Sequence, residues 1–331
     1  MLFIDNKGIT DPSINIAIEE FVLNNLQVDE PFLLFYINRP SIIIGRNQNT
    51  IEEINTDYVE ANGIQIVRRL SGGGAVYHDF GNLNFSFLTK DDGNSFSNYQ
   101  KFLDPVIVAL KKMGVNAELK GRNDMVVGER KVSGNAQFAT HGKMYSHGTL
   151  MFDSDIDEVV NSLKVRKEKI ESKGIKSIRS RVANISEFMS EKMTTEEFKQ
   201  KLLLSIFDVE KIEDVNEYVL TEEDWAEIKA ISKRRYANWD WNYGKSPKFD
   251  IELTKRFPIG SIDIRLNVMK GHIVDAKIFG DFFGVGDVKD IEERLINVKY
   301  EREAIKSAIE SLPIKHYFGQ ITLEEFLELI Y

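Results

Sequence analysis

Three consecutive glycines, Gly72 to Gly74, sit inside the run Arg68-Arg69-Leu70-Ser71-Gly72-Gly73-Gly74-Ala75-Val76-Tyr77-His78-Asp79. Glycine loses more backbone entropy on folding than any other residue and contributes no side-chain packing. A folded chain keeps such a run where its backbone turns sharply or comes very close to something. Two arginines precede the glycines, and a histidine and an aspartate follow. Exposed backbone N–H groups beside fixed positive charge suit an anionic ligand. A glycine-rich hairpin with solvated arginines is the competing reading. Before the run, Ile64 to Val67 is apolar and β-branched; after it, Leu83 to Leu88 alternates apolar and polar residues. The pattern predicts strand, glycine loop, strand.

Composition narrows what such a loop can serve. A length of 331 residues predicts two domains, or one large domain with an appendage. The net charge of −9 argues against a general nucleic-acid binder, which carries a basic footprint. There is no cysteine, which excludes disulfides, thiolate zinc sites and a cysteine nucleophile. The first residues lack a basic segment followed by an apolar one, and no apolar stretch reaches the ~18–20 residues of a membrane span. The expectation is a cytoplasmic protein without nucleic-acid or membrane partners.

Local signals mark the elements. Asp11-Pro12 reads as a helix start, followed by Ile14, Ala17, Ile18, Phe21 and Val22 at helical spacing. Phe32–Ile37 and Ser41–Ile44 read as strands, Asp57–Asn62 as a short helix ended by Gly63, and Phe102–Met113 as a helix stopped at Gly114. Short strands or loops are expected near 117–119, 125–127, 131–133 and 149–152, and a helix over 154–163. Thr194 with Glu197, and Thr221 with Asp224, form capping boxes. A polar, turn-prone stretch, Tyr243 to Lys248, predicts a linker near residue 244. Beyond it, alternation over 262–268, a turn at Lys270-Gly271, a return strand over 273–279 and two or three helices predict a small α+β domain.

Several familiar sites are missing. There is no G-x-x-x-x-G-K-[ST] phosphate loop and no G-x-S-x-G elbow, and Gly284-Val285-Gly286 lacks the context of a dinucleotide fold. The five histidines show no metal-ligand spacing; His141 and His147 are placed six apart in a loop. What remains lies before the linker. Gly121-Arg122-Asn123-Asp124 opens a short apolar strand; Asp124 suits one carboxylate contact to Mg²⁺, or simply an Asn-Asp turn. Lys131 leads a short strand ending at Gly134. The stretch 173–184 gathers basic residues that suit either a phosphate-facing loop or a solvated face. These groups permit activation of a carboxylate by ATP, with cations and N–H donors meeting charge on the phosphoryl oxygens, but do not select it.

Ordered motifs carry a resemblance. The run Arg68 to Asp79 with Gly81-Asn82, Gly121 to Asp124, Lys131-Val132-Ser133-Gly134, His147 to Leu150, Lys176 to Val182, Ile43-Ile44-Gly45-Arg46-x-Gln48-Asn49 and Trp239 to Gly244 resemble lipoate–protein ligase A. The resemblance implies an α/β (α+β) fold: a large mixed-sheet domain over 1–244, resembling biotin protein ligase catalytic domains, and a C-terminal accessory domain over 245–331. It implies ATP-dependent formation of lipoyl-AMP, then transfer of the lipoyl group to a lysine of an acceptor. Those acceptors are lipoyl domains of 2-oxoacid dehydrogenase E2 subunits or the glycine-cleavage carrier protein. The catalytic lysine falls on Lys131. ATP and adenylate contacts fall on Arg69, Gly74, Ala75, Val76, Tyr77, Asn123 and Lys131. Lipoate contacts fall on Ile44, Ser71, Gly72, Gly73, His78, Lys131 and His147, with Asp124 as the Mg²⁺ candidate. The basic stretch 173–184 is expected to cover the adenylate. An ATP-independent lipoyl or octanoyl transferase is the nearest rival; its usual thioester route needs a cysteine that this chain lacks. A non-catalytic lipoyl-binding protein would need neither Lys131 nor Mg²⁺.

Overall fold

The computed structural model describes residues 1–164, 181–243, 250–269 and 271–331. Residues 173–180 of the expected covering stretch over 173–184, and 244–248 of the linker, therefore lie outside the described residues, as does Lys270.

The N-terminal part is built on a seven-stranded mixed sheet in the order β1-β2-β6-β10-β9-β8-β7. Its strands are β1 (Leu2–Asp5), β2 (Phe32–Ile37), β6 (Asn82–Lys90), β7 (Ala117–Lys120), β8 (Asp124–Val127), β9 (Arg130–Thr140) and β10 (Lys143–Met151). Only the β1–β2 pair is parallel. Helices cover both faces, so β2 reads as a continuous apolar run. On one face, α1 (Pro12–Asn25) packs with Leu34, Leu88 and Ile228. On the other, Leu33, Phe35 and Phe85 meet Phe102, Leu103 and Phe198. A second, three-stranded sheet, β4-β3-β5, holds β3 (Ser41–Ile44), β4 (Gln65–Arg68) and β5 (Val76–His78). The glycine run joins β4 to β5.

Among the described residues, the other α-helices before residue 244 are α2 (Thr50–Glu53), α3 (Thr56–Ala61), α4 (Tyr99–Lys112), α5 (Ile156–Ser162), α6 (Thr195–Phe207), α7 (Glu222–Ile231) and α8 (Trp239–Asn242). Their starts follow the capping chemistry. The Asp11 carboxylate accepts from the Ser13 N–H, and both Thr194/Glu197 and Thr221/Asp224 close capping boxes. The fourth helix starts three residues before the expected Phe102 because the Asn98 side chain caps it at Lys101 N.

Beyond residue 250, β11 (Ile251–Phe257), β12 (Gly260–Met269) and β13 (His272–Gly280) form an antiparallel meander. Against it pack α9 (Lys289–Leu295), α10 (Arg302–Ile309), α11 (Ile314–Phe318) and α12 (Leu323–Ile330), with Ile264, Ile278, Ile291, Phe318 and Phe326 in one apolar cluster. This part touches the rest along residues 45–52 and at the glycine run. Gly280 N donates to Asn47 O at 2.7 Å, Arg46 pairs with Asp287 at 3.1 Å, and the Arg265 fork grips the Glu52 carboxylate.

Two expectations need correction. The short strands at 131–133 and 149–152 are parts of one long hairpin, β9–β10, which turns at His141 and Gly142. His147 is therefore a buried strand residue and not a loop residue. Strand β11 alternates only in part, with Ile251, Leu253 and Phe257 on one face and Lys255 breaking that set, and it pairs along its length with β12.

Candidate active site

The arginines of the glycine run face inward. Arg68 is 1% exposed and its guanidinium donates to the carbonyls of Gly45, Arg46, Gln48, Trp241 and Asn242 and to the Thr50 hydroxyl. It clamps the 45–50 segment to α8 and offers nothing to a ligand. Arg69 donates to Ile43 O at 3.0 Å, Gly72 O at 2.7 Å, Gly74 O at 2.9 Å and Ser71 Oγ at 3.0 Å. It holds the glycine loop in shape from beneath. Burial lowers both guanidinium pKa values to about 10, so both stay charged at neutral pH.

From Ser71 the network continues inward. Ser71 Oγ lies 2.7 Å from His147 Nε2, and His147 Nδ1 lies 3.0 Å from the Glu19 carboxylate. Glu19 is wholly buried on α1 and also accepts from the Tyr36 hydroxyl. One hydrogen bond, Ser71 to His147, thus ties the glycine loop to the central strand β10. Nothing in the sequence marked Glu19, which lies off the apolar stripe of α1; it is buried because the helix is enclosed on nearly every side, and it is partnered there.

His78 is oriented by a relay of amides. Asn6 and Asn15 Nδ2 both donate to Ile9 O, Asn15 also donates to Asn38 Oδ1, and Asn38 Nδ2 reaches His78 Nδ1 at 3.0 Å. The fixed Asn38 amide makes Nδ1 the acceptor, so Nε2 carries the hydrogen. That Nε2–H is buried and has no partner among the described residues. Burial first, then the nearby Arg69 guanidinium and His147, push His78 down to about 3, and the ring is neutral.

A second, more open wall is built at the β8–β9 pair. Lys131 Nζ pairs with Asp124 Oδ1 at 2.7 Å, and both side chains are 40% exposed. The lysine passes over Gly134, which lies opposite Asp124 in the β8–β9 register. Its backbone is held on both sides: Lys131 N donates to Arg181 O, and Ala183 N donates to Lys131 O. Asn123 Nδ2 donates to Asn135 O, and Asn135 Nδ2 returns to Asn123 O. Together these bonds lock the turn that carries Asp124.

The glycines divide by what lies over them. A Cβ on Gly45 would overlap the Gly73 carbonyl, and one on Gly72 would overlap the Phe282 carbonyl. Gly73 has φ +90°, and a Cβ there would come within 3.0 Å of the Phe283 ring. Gly74 is exposed, with nothing within 4 Å of a Cβ. Arg69, Ser71, Gly72, Gly73, Gly74, His78 and His147 gather around the glycine run, and Asn123, Asp124 and Lys131 form a second group; the Phe283 ring lies against Gly73 of the first and against Arg122, the neighbour of Asn123. Ala75 and Val76 follow, half-buried, where the run enters β5. Ile44 and Tyr77 turn away into the small sheet's core with Ile42 and Ile54, so their side chains stand apart from the cleft.

Residues 11–207 match the model of the lipoyl protein ligase A/B catalytic domain, and residues 246–330 that of the bacterial lipoate protein ligase C-terminus. The chain belongs to the lipoate–protein ligase family. It is 66% identical over 331 residues to lipoate-protein ligase LplJ of Bacillus subtilis, covering 100% of both chains. It is 54% identical over 330 residues to lipoate–protein ligase 1 of Staphylococcus aureus, again covering 100% of both. Among solved structures, P. falciparum LipL1 in complex with lipoate shares the fold at TM-score 0.76 and 24% identity, over 99% of this chain and 97% of that one. A bipartite lipoate protein ligase studied with its E2 lipoyl domain from Thermoplasma acidophilum gives 0.64 at 31% identity, over 76% of this chain and 98% of that one. A lipoate-protein ligase A bound with ATP gives 0.61 at 28% identity, over 74% and 97%. As in the family, the chain is a mixed α/β ligase with a small C-terminal sheet-and-helix unit. Among the described residues no helix is long and apolar enough to cross a membrane.

Proposed function

We propose that this ligase joins lipoate to ATP between the two walls of the cleft and then passes the lipoyl group to a lysine of an acceptor domain. One observation carries the reading. Lys131 is half-exposed and, among the described residues, pairs with one carboxylate, Asp124, while Gly74 of the glycine run lies open.

In the first half reaction a lipoate carboxylate oxygen bonds to the α-phosphorus of ATP, and the bond from that phosphorus to the pyrophosphate oxygen breaks. The carboxylate is already ionised at neutral pH, so no general base is required. Lys131 leaves Asp124 and meets both the carboxylate and the α-phosphate, offsetting charge that grows on the phosphoryl oxygens. The backbone from Gly74 to Tyr77, with Asn123, takes the nucleotide; Arg69 serves by holding the carbonyls of that loop. Lipoate lies along Gly72 and Gly73 with Ser71, His78, His147 and the Ile44 segment around it. Each buried methylene contributes about 0.8 kcal/mol to that binding. Neutral His78 presents its Nε2–H to the ligand.

Among the described residues no three His, Asp or Glu side chains gather into a metal site. The donors fit Mg²⁺ in the way phosphate-bound magnesium is usually held, by one carboxylate here, Asp124, with phosphate oxygens and water as the rest. When bound there, Mg²⁺ supplies charge neutralisation on the phosphates.

In the second half reaction the acceptor lysine, as a neutral amine, attacks the lipoyl carbonyl carbon; AMP leaves and the amine proton is lost to solvent. Lipoyl domains of 2-oxoacid dehydrogenases or the glycine-cleavage carrier protein are the acceptors in this reading, and the cytoplasm is its place. The bipartite relative described with an E2 lipoyl domain supports the first of these. Mass spectrometry of an acceptor lipoyl domain, incubated with the protein, ATP, Mg²⁺ and lipoate, tests the reading. One lipoyl group should appear on one lysine only when ATP is present; ATP-independent labelling, or none, sinks it.

A further inference from the structure

Two of the three glycines in the run are small because of the C-terminal unit. The loop after β13 lays the Phe282 carbonyl on Gly72 and the Phe283 ring on Gly73. On its other side the ring meets Tyr99 edge-on at 6.5 Å and the Arg122 guanidinium at 4.1 Å. This loop is anchored at both ends, by Gly280 N to Asn47 O and by Asp287 to Arg46. Gly284 and Gly286 press against Tyr317, and the Val285 and Gly286 N–H groups both reach His316 O, so the loop's own shape is fixed.

Arg122 differs from the other arginines around the cleft. Arg68 and Arg69 spend their donors on carbonyls, Arg46 pairs with Asp287, and Arg130 pairs with Glu187. Arg122 makes no hydrogen bond or ion pair among the described residues, and the Phe283 ring is what its guanidinium faces. It sits at the tip of the β7–β8 turn, two residues before Asp124 and beside the locked Asn123. Stacking on an aromatic face leaves the guanidinium edge, with its five N–H donors, free for a planar or tetrahedral anion.

We propose that Arg122, steered by Phe283 of the C-terminal unit, binds the β- and γ-phosphates of ATP and holds them as pyrophosphate leaves. This rests on the ligase reading above. When the α-phosphorus–oxygen bond breaks, its electron pair moves to the departing pyrophosphate, and a fixed guanidinium beside that oxygen lowers the cost. Phe283 touches no reacting atom and is a positioning residue.

The test separates the two half reactions in the full-length protein. Lipoate-dependent ATP–pyrophosphate exchange reads the first; transfer from chemically made lipoyl-AMP to an acceptor lipoyl domain reads the second. Arg122→Ala should lower kcat/KM for ATP in exchange by about 30-fold or more, with Arg122→Lys recovering part through its charge. Phe283→Leu keeps the apolar bulk but removes the aromatic face, and should raise KM for ATP about 3- to 10-fold with kcat little changed. Transfer from lipoyl-AMP should stay within twofold in all three. Exchange by Arg122→Ala within threefold of the parent overturns the proposal, as does an equal fall in both half reactions. A parent protein with no exchange at all would instead overturn the ligase reading.

Discussion

The two walls of the cleft are built on opposite principles. On the Arg69–Ser71–His147–Glu19 side nearly every polar group is buried and bound to another part of the chain. On the Lys131–Asp124 side the charges are half in solvent and, among the described residues, pair with each other. A buried, fully bonded network is costly to rearrange, since breaking one member strands the rest. It suits a wall whose task is to fix shape. A half-exposed ion pair is worth about 1 kcal/mol or less and exchanges partners easily. It suits a wall whose lysine has to leave a carboxylate for a phosphate and later return. Mutations should therefore act mainly on stability at the first wall and mainly on rate at the second.

The largest expected effect falls on the open wall. Lys131→Ala should lower lipoyl-AMP formation by about 10³-fold, as loss of a group that meets developing transition-state charge does. The fold should stay intact, because the side chain is 40% exposed and its single ion pair adds little. Pyrophosphate exchange and a denaturation curve on the same sample check both halves of the statement. Exchange retained in the variant would remove Lys131 from the chemistry.

The glycines give the next contrast. Gly45→Ala forces a methyl into the Gly73 carbonyl, which is backbone and cannot swing away. The cost should be about 1–3 kcal/mol, the range of an overpacked interior, and toward its upper end because the obstacle is backbone. Gly74→Ala meets open space and should change stability by less than about 0.5 kcal/mol. Urea unfolding of the two variants decides it; equal losses would mean that the loop is not braced as described.

These differences also show which parts of the molecule were readable from residues alone. Strands β2 and β3 and the capped helices after Asp11, Thr194 and Thr221 follow local rules, and the structure keeps them. The long β9–β10 hairpin did not read as one element, because Gly134 and Gly148 look like breaks. Gly148 stays in strand since the Asn135 amide fills the space its Cβ would take, a fact set by the neighbouring strand. The arginines of the glycine run read as ligand contacts because charge is visible in sequence and carbonyls are not. In the fold, both are consumed by carbonyls near in space, several of them distant in the chain. Phe283, more than two hundred positions beyond Gly73, gives no linear sign that it explains a glycine.

The smallest effect concerns His78, and it tests whether the buried wall is as rigid in charge as in shape. Its ring is held near a pKa of about 3 against an ordinary value of 6.5, through burial first and then Arg69 and His147. Between those two values the unfolded chain takes a proton on this histidine that the folded chain refuses. The unfolded state binds more protons there, so stability rises with pH across the window and is fully regained above about 6.5. The slope from this one group is at most about 1.4 kcal/mol per pH unit, or about 2 kcal/mol between pH 6.5 and 5. His78→Gln removes the titrating group, so its loss of stability between pH 7 and pH 5 should be smaller than the parent's by that amount. Parallel curves for parent and variant would mean that His78 takes up its proton in the folded protein. The Asn38 relay would then not hold Nδ1 as an acceptor, and the wall would have to open to admit a charge beside Arg69.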